Sequence, residues 1–60
     1  MKKRITIAEF YKIPDPTIEQ CLAFIRTYER ESWRRFLIIK YVPEKHHEFC
    51  ITQLKLEGLL

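Results

Sequence analysis

A chain of 60 residues forms one small domain, 1–60, and its 47% hydrophobic content excludes a disordered segment. Eleven basic residues against eight acidic ones leave a net charge of +3, a balance that permits nucleic-acid contact without demanding it. Two cysteines exclude a disulfide scaffold, and an unbroken apolar run of only four residues, 36–39, excludes a membrane span.

The first segment, 4–13, reads as a strand with Ile5, Ile7, Tyr11 and Ile13 on one face and Ala8 and Phe10 on the other. Its β-branched and aromatic residues favour extension, and Pro14 pushes Ile13 the same way. The rival is a short helix opened by a Thr6/Glu9 capping box and carrying Ile7, Phe10 and Tyr11. After Pro14-Asp15-Pro16, Thr17 and Gln20 make a second capping box. Ile18, Cys21, Leu22, Ile25 and Tyr28 then recur at helical spacing. This predicts a helix from 17 to at least 30, ending near 31–33.

The densest apolar segment follows, 33–42. Continuing the helix would place Leu37, Ile38, Tyr41 and Val42 outside its buried stripe, and a Phe-Leu-Ile-Ile-Lys-Tyr-Val run has high strand preference. Residues 35–42 therefore read as a strand, 43–47 as a polar loop and 48–56 as a second strand. The rival for the last segment is a helix with Pro43 near its start and Gly58 as its stop. The expected fold is α+β: a β-α-β-β domain whose three-stranded sheet carries one helix on one face. The alternative is an all-α three-helix bundle.

In the sheet, Leu37, Ile39 and Tyr41 project away from the helix and leave an apolar face open. Those three residues, rimmed by Arg34 and Arg35, are the expected protein interface. The function that follows is a non-enzymatic small regulator or inhibitor acting by protein–protein contact, as a homodimer. The alternative is a nucleic-acid-binding module. Arg26, Arg30 and Arg34 recur every four residues, Arg35 adjoins Trp33-Arg34, and Lys2, Lys3 and Arg4 cluster at the start.

Catalytic chemistry finds little to use. Gly58 is the sole glycine, Ser32 the sole serine and Asp15 the sole aspartate, so neither a phosphate-cradling loop nor a nucleophile elbow is present. No enzyme activity and no cofactor are expected. Cys21, His46, His47 and Cys50 match a two-Cys, two-His zinc site by count. The histidines are adjacent, however, and no Cys-x-x-Cys pair exists, so the expectation is a structural cysteine and loop histidines without metal. A Cys50 nucleophile with His46 or His47 as base would need a thiolate-stabilising environment that the sequence does not supply. The expected location is cytoplasmic, with both thiols reduced and no membrane contact.

Overall fold

The computed structural model describes residues 5–60, and helices are the only regular elements among them. They are α1 (Ile7–Tyr11), α2 (Ile18–Arg26), α3 (Glu31–Tyr41) and α4 (His47–Leu56), with a 3₁₀ turn (Glu44–His46) ahead of α4. The expected three-stranded sheet is absent among the described residues. The α+β, β-α-β-β reading is replaced by an all-α bundle in which α2, α3 and α4 pack on one another.

The rival reading of the first segment holds. Thr6 Oγ1 accepts the Glu9 backbone N–H at 3.1 Å, and the Glu9 carboxylate accepts the Thr6 N–H at 3.0 Å. This reciprocal cap satisfies two of the backbone donors that a helix start leaves open, and it outweighs the β-branched bias. The single turn is held by Phe10, 2% exposed, whose ring stacks on Phe24 with centroids 4.2 Å apart.

Helix α2 starts as expected, with Thr17 and Gln20 forming the same box. It ends at Arg26, four residues short of the expected minimum. No glycine or proline marks the break. Thr27 donates its hydroxyl to the Phe24 carbonyl at 2.7 Å, and the Tyr28 N–H bonds the Ile25 carbonyl at 3.1 Å, tightening the last turn. From α3, Arg34 then donates its Nη1 to the freed Tyr28 carbonyl.

The break resets the helical phase. Arg34, Leu37, Ile38 and Tyr41 fall at i, i+3, i+4 and i+7 of a new helix, an amphipathic stripe in its own right. Arg34, Leu37 and Ile38 are buried and Tyr41 is half-buried. Thus 35–42 is not a strand. Its high β-preference yields to burial of this stripe against α2 and α4. Pro43 forces Val42 into extended backbone (φ −75°, ψ 133°) and stops the helix there.

The segment 48–56 is likewise helical, with Cys50 and Leu54 buried one turn apart and Leu56 exposed. Gly58, at φ +77°, ends α4. The Leu59 N–H reaches the Leu54 carbonyl at 2.9 Å and the Gly58 N–H reaches Lys55 at 3.1 Å. This double closure requires a left-handed residue between helix and tail, which explains the chain's only glycine.

Candidate protein-docking face

Helix α3 carries two apolar stripes rather than one. The inner stripe, just described, points into the core. On the outer side Ser32, Phe36 and Ile39 follow each other at three- and four-residue steps, with Trp33 and Lys40 on one flank and Arg35 on the other. Trp33 is 47% exposed, Phe36 47% and Ile39 73%. None of the three belongs to the buried core cluster.

Their geometry is ordered. The Trp33 and Phe36 rings meet edge to face with centroids 5.6 Å apart, and Lys40 Nζ sits 5.8 Å from the Phe36 centroid. Arg35 pairs with Glu31 at 3.3 Å along the same helix. A shallow hollow of about 220 Å³ lies beside Ser32, Trp33 and Phe36. Two further clefts flank α1: one of about 350 Å³ bordered by Ile7, Tyr28 and Trp33, and one of about 600 Å³ bordered by Ile7, Ala8, Tyr11, Lys40 and Tyr41. Tyr11 and Tyr41 meet edge to face at 6.3 Å.

The residues expected to form the interface are split by this arrangement. Leu37 is wholly buried, because helical rather than strand geometry turns it inward. Arg34 is only 8% exposed. Its guanidinium donates to the carbonyl oxygens of Tyr28 and, at 2.7 Å, of Leu59. It is a clasp across the ends of α2 and α4 rather than a rim residue. Ile39 and Arg35 are exposed on the outer stripe, and Tyr41 is half-buried against α1. Trp33, Phe36 and Lys40, outside the interface that the strand reading expects, share this outer side. Their spacing of three, four and seven could have revealed them once 31–41 was treated as a separate helix.

The basic residues do not form a continuous stripe either. Arg26 closes α2, Arg30 caps the start of α3, and Arg34 lies inside. Arg26 holds Glu57 through both guanidinium edges, one at 2.8 Å, and with the Gln53 amide it lowers the Glu57 carboxyl to about 2. Lys2, Lys3 and Arg4 lie outside the described residues.

The metal candidates separate as well. Cys21 and Cys50 are neighbours in the core, both 0% exposed. Burial, followed by the neighbouring Cys50, raises Cys21 to about 11. Burial also raises Cys50, although Arg26 draws it partly back. Both thiols are therefore protonated at neutral pH and weakly nucleophilic. His47 donates from Nε2 to the Val42 carbonyl at 2.6 Å, bridging the turn ahead of α4, and His46 lies on the 3₁₀ turn. No group of three or more His, Cys, Asp or Glu among the described residues could hold a metal ion. No described helix is long and apolar enough to cross a membrane.

No protein-family model matches the chain, and neither a curated protein nor a solved structure is significantly similar to it.

Proposed function

We propose that this chain is a non-enzymatic regulator or inhibitor that works by protein–protein contact, as a homodimer, through the outer stripe of α3. The observation that supports the reading is that one eleven-residue helix buries a complete inner stripe and still exposes Trp33, Phe36 and Ile39. Those three side chains stand on one side of a single helix, and an exposed apolar cluster of this kind supports a contact surface. Arg35 at its edge and the Trp33 and Phe36 rings match the enrichment of arginine and aromatic residues at interfaces.

The nucleic-acid alternative loses part of its electrostatic basis, because Arg34 is buried and Arg26 and Arg35 are paired with carboxylates. The test is light scattering on eluting protein across micromolar to submillimolar concentrations at low and high salt. The reading expects a dimer that persists at high salt. It also expects a Phe36→Glu, Ile39→Glu variant that is monomeric while melting within a few degrees of the parent. A monomer at every concentration, or a variant that dimerises as well as the parent, overturns it. Retention of a labelled duplex or single strand at low salt, lost at high salt, would favour the alternative.

A further inference from the structure

We propose that Cys21 and Cys50 form a redox device, oxidised by a low-molecular-weight disulfide to a buried cross-link that staples α2 to α4. It is independent of the docking face on α3.

The chain has two cysteines, and the fold brings both to one place in the core, each 0% exposed. Paired side chains on either side fix their level. Ahead of them Lys45 donates to Asp15 at 3.1 Å, and beyond them Arg26 holds Glu57, with one contact at 2.8 Å. Positions 15, 21 and 26 thus match 45, 50 and 57 in the same order. Helices α2 and α4 therefore run side by side in one direction, and the cysteines are the middle rung. Cysteine is also the smallest side chain of the core cluster, whose other members are Phe, Leu, Ile and Val. Helices come closest where the residues between them are small. At an axis separation of about 8–10 Å and a Cα radius of about 2.3 Å, residues level with each other bring their Cα atoms to about 3.5–5.5 Å, within reach of a disulfide.

The reaction balances in two exchanges. One protein thiolate attacks a sulfur of the small disulfide and releases the first small thiol. The other then attacks the protein sulfur of that mixed disulfide and releases the second. The two protein thiols lose two electrons and two protons, and the oxidant leaves as two thiols. Because both sulfurs are enclosed, exchange passes through opening of the α2–α4 contact rather than through the closed core. Burial then shields the product, so the domain keeps the redox state in which it last closed. The cross-link closes a loop of about half the chain, which restricts the open state far more than the closed one.

The test equilibrates the full chain in buffers of graded reduced-to-oxidised glutathione ratio, both in native buffer and in urea that unfolds it. Acid quenching, alkylation and intact mass then read the oxidised fraction. The expected product is a chain lighter by two hydrogens, with both cysteines protected from alkylation and helical circular dichroism unchanged. Half-oxidation in native buffer should need at least about tenfold less oxidised glutathione than in urea, because a bond that favours the fold is favoured by it. The melting temperature should rise by roughly 10–20 °C on oxidation. A midpoint in native buffer no lower than in urea would show that the core rejects the cross-link and overturn the proposal. A mixed disulfide or a covalent dimer as the main product would also overturn it, as would a melting temperature that falls. Cys21→Ala in the same buffers should show no rise, and a rise equal to the parent's would assign the effect to something other than the Cys21–Cys50 bond.

Discussion

Arg34 shows how a single side chain can decide the meaning of its neighbours. Placed beside Arg35 after a tryptophan, it reads as a phosphate or rim contact, yet its guanidinium lies inside, bonded to the Tyr28 and Leu59 carbonyls. Those carbonyls lie just past the ends of α2 and α4, where helix dipoles leave partial negative charge, so a cation there is favoured electrostatically as well as by hydrogen bonding. Arg34→Met keeps the apolar stem and removes the donors. It should cost about 2–3 kcal/mol, the worth of hydrogen bonds to a charged group. In a domain this small that is a fall of roughly 10–20 °C in melting temperature. Arg34→Lys should recover only part of the loss, since one ammonium cannot reproduce the planar fork. Arg35→Met, which breaks only an exposed pair with Glu31, should shift the midpoint by no more than a few degrees. Equal effects at positions 34 and 35 would contradict the clasp.

At the scale of elements, α3 is the point on which strand and helix readings divide, and Leu37 and Ile39 separate them. Strand alternation sets both on one outward face, so truncating either would cost little. The helix buries Leu37 completely and leaves Ile39 73% exposed. Leu37→Ala should then cost about 2–5 kcal/mol, against about 0.5 kcal/mol or less for Ile39→Ala. Urea unfolding of the two variants in dilute, monomeric samples checks the difference. The same elements show what was legible beforehand. Thr17 and Gln20 announced α2 correctly, because a capping box is a local hydrogen-bond circuit that needs no tertiary partner. Thr6 and Glu9 announce α1 equally well, although their β-branched neighbours favour a strand. The end of α2 carries no glycine or proline, and its closure rests on the Thr27 hydroxyl and on Arg34 arriving from the next helix. With that break unseen, Leu37, Ile38 and Tyr41 fell outside the continued stripe and argued for a strand. The same reset phase puts Ile39 and Arg35 on the outer side of α3 with Trp33, Phe36 and Lys40, and turns Leu37 and Arg34 inward.

For the molecule as a whole, two linked pairs that tie α2 to the α4 end set opposite limits on stability. Arg26 and Gln53 hold Glu57 down to about 2 from an ordinary value of 4.5. A carboxyl held lower in the folded state contributes stability that is complete above about 4.5 and is lost as pH falls toward 2. The Cys21–Cys50 pair acts in the other direction. With Cys21 raised from 9.0 to about 11, the unfolded chain releases its thiol proton first. Stability is therefore complete below about 9 and declines as pH rises through about 11. Denaturation free energy against pH should thus show a plateau between roughly 5 and 9 with a fall on each side. Glu57→Gln should flatten the acid limb between 4.5 and 2 while leaving the alkaline limb in place. Cys21→Ala with Cys50→Ala creates a cavity and lowers the whole curve. Its diagnostic is slope rather than height: the decline between 9 and 11 should become shallower in that variant alone. An alkaline slope identical to the parent's would mean that the buried thiols do not discriminate folded from unfolded chain, and the α2–α4 contact would then have to be wetter or looser than the burial of Cys21 and Cys50 requires.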